Sequence, residues 1–181
     1  MGRQRRREDL VAFPVNNNRL GLGLAWDCFG DELDLDIQAV IVNGDGVIVD
    51  AVYYNNLMAC NMAVGHTGDW VGGIASSYNE MIWVSLSKLP ANVCLIIFVV
   101  AVSNDGHLRD AQNGCVHIVQ DSMGHNVTKI PLQKSGADVA VVALMHRDQQ
   151  GCWGFQEVEE PADYGSHFLD ILEPTIGDLV R

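Results

Sequence analysis

The sequence predicts a mostly-β domain whose strands form a sandwich or a barrel. Short, β-branched apolar runs recur along the chain, turns rich in Gly, Asn and Asp separate them, and helical periodicity is sparse. A chain of 181 residues suits one domain. We therefore divide it into a basic N-terminal tail and lead-in over residues 1–19 and a single domain over residues 20–181.

The predicted strands are apolar runs that end at turn residues. They cover residues 34–42, 47–54, 81–86, 93–102, 115–120, 126–132, 139–146 and 152–158. The turn Asn43-Gly44-Asp45-Gly46 joins the first two strands as a hairpin, because Asn-Gly and Asp-Gly pairs favour tight reversals between apolar runs. Two more hairpins are predicted, with turns at residues 121–124 and 149–151.

Helical signal is confined to two short segments. Residues 108–113 predict a helical turn. Residues 164–172 place Phe168, Ile171 and Leu172 on one face of a helix, and Pro174 ends the pattern. We therefore expect one or two short helices, with the longer one near the C-terminus.

Charge is distributed unevenly along the chain. Residues 1–9 contain four Arg and two acids, a local charge of +2, so residues 10–181 carry −14 to give the total of −12. An acidic body disfavours nucleic acid and anionic membranes, so we expect membrane contact to be peripheral at most. It favours a cation or a basic protein as partner. The Arg-rich tail is either a solubilising extension or an anchor on an acidic partner.

Sequence features that bear on the compartment point to the cytoplasm. The longest apolar run, residues 93–102, is shorter than the about 20 residues that span a bilayer, and no apolar segment follows the charged N-terminus. The cysteines are odd in number and form no C-x-x-C pair, which favours free thiols in a reducing compartment. They are Cys28, Cys60, Cys94, Cys115 and Cys152.

Several short motifs occur between residues 20 and 160. They are Trp26-Asp27, Leu33-Asp34-Leu35-Asp36, Tyr53-Tyr54-Asn55-Asn56, His66-Thr67-Gly68-Asp69, and Leu86-Ser87-Lys88-Leu89-Pro90 before an apolar strand. Together with the hairpin of residues 144–155, they resemble the ordered motifs of the TerD family of tellurium-resistance and stress-response domains. Several motifs in the same order make this resemblance more specific than any one tetrapeptide.

The resemblance implies a two-sheet β-sandwich that binds Ca²⁺ through acidic loops. It also implies a role in stress responses, tellurite resistance included, within a larger protein assembly. Two departures from the family pattern affect this expectation. Trp70 stands where the family has Asn, and only Glu80 is acidic in the loop of residues 71–80, which is rich in Asp and Glu in the family.

Four acidic residues are the candidate Ca²⁺ ligands: Asp34, Asp36, Asp69 and Glu80. Asp34 and Asp36 are two apart in a predicted strand, so both carboxylates lie on one face, where they repel each other unless a cation compensates. Ca²⁺ binds six to eight oxygens, and Asp69 with the following loop would add more of them. The alternative interpretation is a solvated acidic strand edge.

Motifs of catalysis are not found in the sequence. There is no G-x-S-x-G or H-E-x-x-H, and no Cys/His ligand spacing, so we expect no enzyme and no small-molecule substrate. His66 is expected to brace the Asp69 loop through a hydrogen bond. The predicted function is a non-enzymatic calcium-binding accessory protein. The alternative is a structural subunit of a larger assembly with reduced or lost calcium binding, favoured by the thinned loop, Trp70 and the Arg tail.

Overall fold

Short strands make up most of the chain that the computed structural model describes, which is residues 12–27, 33–68, 78–120, 126–132 and 136–161. In these ranges the strands are β1 (Ala12–Pro14), β2 (Arg19–Ala25), β3 (Leu35–Asn43), β4 (Ile48–Val52), β5 (Met58–Ala59), β6 (Val64–His66), β7 (Glu80–Ser85), β8 (Val93–Val102), β9 (Cys115–Val119), β10 (Asn126–Pro131), β11 (Val139–Arg147) and β12 (Trp153–Pro161). Two single turns of 3₁₀ helix, Leu86–Lys88 and Leu108–Asp110, are the helical elements of the same ranges.

The strands form two antiparallel sheets that pack face to face. The first sheet has the order β1-β12-β11-β8-β3-β4, and the second has the order β10-β9-β2-β7-β6-β5. Side chains from the inner faces of both sheets share one hydrophobic core. The predicted mostly-β, two-sheet sandwich is therefore confirmed, and the barrel alternative is wrong, because each described sheet ends in edge strands.

The unbroken apolar run of β8 reflects burial on both of its faces. Ile96, Phe98 and Val100 point into the core between the sheets. Leu95 and Ile97 lie on the opposite face, in a second buried cluster that also takes residues from β3 and β11. A strand buried on both faces is apolar throughout, which explains why residues 93–102 show no alternation.

Strand β2 lies near the middle of the second sheet although the sequence analysis does not predict it. Its leucines face the core, and its two glycines face the other way, against aromatic rings. A Cβ atom on Gly23 would lie 2.5 Å from the ring of Tyr78, and one on Gly21 would lie 2.7 Å from the ring of Trp83. The glycines therefore allow the Tyr78 and Trp83 rings to pack closely against β2. Because Gly has low strand propensity, residue propensities alone do not predict this strand.

The remaining predictions differ from the structure mainly at element ends. All eight predicted strands exist, and β8 has the predicted bounds, whereas β1, β5 and β6 were also missed. The predicted helical turn at residues 108–113 is the shorter 3₁₀ turn Leu108–Asp110. The predicted helix of residues 164–172 lies outside the described residues. Within the ranges given above, no helix is long and apolar enough to cross a membrane.

Candidate functional site

Two of the candidate ligands lie at the start of β3. Asp34 is exposed directly before the strand, and Asp36 is half-buried, between the core residues Leu35 and Ile37. Since side chains alternate along a strand, Asp36 lies on the outer face of the first sheet. The carboxylates of this end therefore do not point into the hydrophobic core.

The loop that follows β8 folds over these aspartates. The Ser103 hydroxyl donates to the Asp36 carboxylate. The Ser103 backbone N–H donates to the Asp34 carbonyl at 2.8 Å, and the Asp34 N–H donates to Asn104 Oδ1 at 3.1 Å. We call Asp34, Asp36, Ser103 and Asn104 the acidic end. Its side-chain oxygens are all hard donors, the kind that Ca²⁺ prefers.

Ser103 and Asn104 belong to this site although neither was predicted as a site residue, since they directly follow the predicted strand of residues 93–102. The signal that places them is strand pairing. Leu35 lies opposite Val102 in the antiparallel β3–β8 ladder, so the residue after one strand must meet the residue before the other. Predicting the β3–β8 pairing together with its register would have placed Ser103 beside Asp34.

Glu80 occupies a different environment, between the two sheets. It begins β7 in the second sheet, and only 4% of its surface is exposed. Its Oε2 atom accepts a hydrogen bond of 2.9 Å from the backbone N–H of Ile37 in the first sheet. A buried carboxylate needs such donors, because burial without them is costly.

His66 of β6 also contacts Ile37, and it lies beside Glu80. Its Nε2 atom lies 3.1 Å from the Ile37 carbonyl and 3.5 Å from Glu80 Oε2. Its Nδ1 atom accepts a hydrogen bond of 2.8 Å from the Gly68 N–H, which places the ring hydrogen on Nε2, facing Ile37. The hydrogen bond to Gly68 lies directly before the Asp69 loop, which itself lies outside the described residues, so the expected brace of that loop stays a prediction. We call Ile37, His66 and Glu80 the inter-sheet clip.

Strand lengths explain why the clip is needed. The β3–β4 ladder ends at the pair Ala39 and Val52, so Ile37 lies beyond the end of β4. Buried backbone groups without partners are strongly unfavourable. Glu80 takes the Ile37 N–H and His66 takes the Ile37 carbonyl, so side chains of the second sheet replace the missing strand.

The structure brings together part of the predicted ligand set. Asp34 and Asp36 share the acidic end, Glu80 belongs to the clip, and Asp69 lies outside the described residues. Among the side chains that the structure describes, no group of three or more His, Cys, Asp or Glu could hold a metal ion. The acidic end fits Ca²⁺ in donor type, and it needs further oxygens from outside the described residues to reach the usual number.

A cleft of about 500 Å³ lies at the other end of β3. Asp45, Cys94, Arg147 and Asp148 are among its lining residues. The Arg147 guanidinium is used in the fold, since it donates to the carbonyls of Ala91 at 3.2 Å and Gly151 at 3.3 Å. Burial and the nearby Asp45 charge raise the pKa of the Cys94 thiol, which makes it a poorer nucleophile.

These features define an all-β sandwich domain with a cluster of side-chain oxygen atoms at one end. The TerD domain model matches residues 6–169, so the chain belongs to the TerD domain family. This confirms the resemblance on which the sequence analysis relied.

Proteins similar in sequence support the assignment to this family. The chain is 30% identical to tellurium resistance protein TerZ of Serratia marcescens over 76% of this chain and 77% of that protein. It is 26% identical to general stress protein 16U of Bacillus subtilis over 83% and 84% of the two chains. The crystal structure of a homologue of telluride resistance protein TerD from Streptomyces coelicolor covers 83% of this chain and 94% of its own, with a TM-score of 0.68 and 20% identity. That structure supports the fold alone.

Proposed function

We propose that this TerD-domain protein is a non-enzymatic calcium-binding protein with an accessory role in the response to chemical stress, tellurite included. The stress role is supported by relatives that are named for tellurium resistance and for general stress. The observation that carries the calcium proposal is the acidic end, where two aspartates meet the Ser103 and Asn104 oxygens. We assign a further carboxylate ligand to Asp69.

Glu80 is the least suited of the four candidates to bind the ion directly. Its Oε2 atom already accepts the Ile37 N–H and faces His66, inside the sandwich. Asp36, in contrast, lies on the outer face of β3, away from the core. In the proposed site Glu80 supports the position of β3, and Asp34, Asp36 and Asp69 provide the charge.

We also propose that the protein is cytoplasmic, and this part and the non-enzymatic part of the proposal have separate support. The cleft at the far end of β3 is lined by an arginine that is bonded to carbonyls and by a thiol with a raised pKa. Neither is an activated group of the kind that catalysis uses. The thiols Cys60, Cys94, Cys115 and Cys152 are free, as expected in a reducing compartment.

Calcium titration with three single variants tests the site. We expect Asp34→Asn and Asp69→Asn each to weaken Ca²⁺ binding at least about tenfold, or about 1.4 kcal/mol, because each removes a charged ligand. Asp45→Asn is the matched control, since it removes the same charge from an exposed turn at the far end of β3. Isothermal titration calorimetry measures the Ca²⁺ affinity of the metal-free wild type and of each metal-free variant. A wild-type chain without a calcium heat or thermal shift contradicts the proposal, and so does equal weakening by the control.

A role in protein assembly is the second candidate function. One observation favours it: large apolar side chains are exposed at and near the edge strand β5, among them Tyr54, Met58 and Met62. None of them belongs to the acidic end, so both functions can belong to one molecule.

A further inference from the structure

The outer face of β3 carries an unpaired oxygen beside the acidic end. Asp36, Gln38 and Val40 alternate with core residues along this strand, so their side chains share the outer face of the first sheet. Gln38 is half-buried, and its Oε1 atom is fully buried and accepts no hydrogen bond. Buried polar atoms in folded proteins are nearly always paired, so an oxygen of this kind indicates a partner from outside the chain.

The neighbours of Gln38 within the sheet offer its oxygen no hydrogen-bond donor. Val99 lies directly opposite it in β8 and belongs to the second buried apolar cluster. On the other side, the β3–β4 ladder ends at the pair Ala39 and Val52, so Gln38 has no paired residue in β4. Asp36, two residues before it on the same face, has a carboxylate that only accepts hydrogen bonds when it is ionised. The sheet therefore places an amide oxygen near a carboxylate and gives the amide oxygen no donor.

A cation is a partner that Asp36 and Gln38 can share. Residues two apart in a strand are separated by about 6.6 Å, and Ca²⁺ binds oxygens at about 2.3–2.6 Å, so one ion can lie between the two side chains. Ca²⁺ accepts carboxylate oxygens and side-chain amide oxygens alike. Ala101 lies opposite Asp36 in β8, and its methyl group occupies less of this face than the valine opposite Gln38 does. The outer face is therefore least crowded beside the carboxylate.

We propose that Gln38 Oε1 is a ligand of the same Ca²⁺ ion as Asp36. This inference rests on the proposed calcium function and adds a neutral ligand to its acidic ones. In the metal-free protein the Gln38 oxygen stays buried without a partner, which lowers the stability of the fold. Calcium binding removes that cost. Gln38 therefore affects the metal-free and the calcium-bound protein in opposite directions, which a purely structural side chain does not do.

Replacing Gln38 with Met tests both effects, because Met keeps the length of the side chain and removes the amide. In chelator we expect Gln38→Met to melt about 2–4 °C above the wild type, since it no longer buries an unpaired oxygen. In calorimetry its Ca²⁺ affinity should fall about threefold to tenfold, because it lacks a ligand. Gln156→Met is the matched control. Gln156 is half-buried on the outer face of the same sheet, in β12, and β8 and β11 separate it from β3.

Gln38→Glu provides a second variant that keeps an oxygen ligand at this position. It adds a negative charge beside Asp36, so in chelator it should melt below the wild type, because like charges on one face repel each other. Its Ca²⁺ affinity should equal or exceed that of the wild type, because the ion compensates both carboxylates. Excess Ca²⁺ should therefore raise the melting temperature of Gln38→Glu more than that of the wild type, and that of Gln38→Met less.

The outcomes separate this inference from the proposed function. A wild-type chain that binds no Ca²⁺ would overturn both. If the wild type binds Ca²⁺ and Asp34→Asn weakens binding, while Gln38→Met keeps full affinity, the calcium function stands and Gln38 is not a ligand. A Gln38→Met variant that melts lower than the wild type in chelator would show that the amide is bonded within the metal-free protein, and would overturn the inference. Equal weakening of Ca²⁺ binding by Gln156→Met would overturn it as well.

Discussion

Replacing Glu80 with Ala tests whether the inter-sheet clip stabilises the sandwich. The substitution removes the acceptor of the Ile37 N–H, which is buried between the sheets. A hydrogen bond to a charged group contributes about 1.5–3 kcal/mol, and the buried donor left behind has no water to replace it. We therefore expect the free energy of unfolding to fall by about 2–3 kcal/mol. Glu80→Gln keeps an oxygen acceptor and should lose about 1 kcal/mol.

Thermal and urea unfolding in the presence of a chelator measure these losses. In a domain of this size each kcal/mol lowers the melting temperature by about 2–4 °C, so Glu80→Ala should melt about 4–12 °C lower. Asp45→Ala is the control, because it removes an exposed carboxylate from a turn and should change stability by less than about 0.5 kcal/mol.

The chelator distinguishes a structural role of Glu80 from direct calcium binding. If Glu80 acts through the clip, the loss is present without metal. A Glu80→Ala variant that matches the control in chelator, and falls behind the wild type only when Ca²⁺ is added, would refute the clip and would return Glu80 to the set of direct ligands.

Two further predictions follow from packing and burial. Gly23→Ala should destabilise the fold by about 1–3 kcal/mol in urea unfolding, because its Cβ would lie 2.5 Å from the Tyr78 ring, whereas Gly44→Ala meets nothing within 4 Å and should be neutral. Alkylation at about pH 8, followed by peptide mass spectrometry, should label exposed Cys152 before Cys60 or Cys115, because burial raises the pKa of those two thiols and lowers their thiolate fraction. Faster labelling of Cys60 than of Cys152 would contradict this ranking.

Strands with a plain hydrophobic signal could be predicted from the sequence. β8 was found with its bounds because its run is long, β-branched and bounded by turn residues. The hairpin of β3 and β4 was found because Asn43-Gly44-Asp45-Gly46 has the turn chemistry that such a reversal needs.

β2 could not be found in this way. Its alternating Leu and Gly residues have poor strand propensity, and the reason for Gly23 is a ring that packs over it from residue 78, far along the chain. Tertiary packing decides such a strand, and a local window does not contain that information.

The candidate site shows the same division between local and distant information. The paired aspartates of β3 are a local pattern, so the sequence analysis found them. The contact of Glu80 with Ile37 joins residues 43 apart, and the contact of His66 with Ile37 joins residues 29 apart. Motif reading placed Glu80 among the metal ligands because an acid near an acidic loop has that role in the family. The direction of its side chain depends on how the two sheets stack, which the sequence pattern does not specify.

The inter-sheet clip has a consequence for the proposed calcium site. Asp36 and Ile37 are neighbours in β3. The strand that carries the proposed ligand Asp36 is therefore held at Ile37, through both the N–H and the carbonyl of that residue. The position of β3 at the acidic end is therefore fixed by the second sheet before a cation binds. Little ordering of that strand remains to be done on binding, and selectivity between ions of different radius then depends on how far this rigid strand can move.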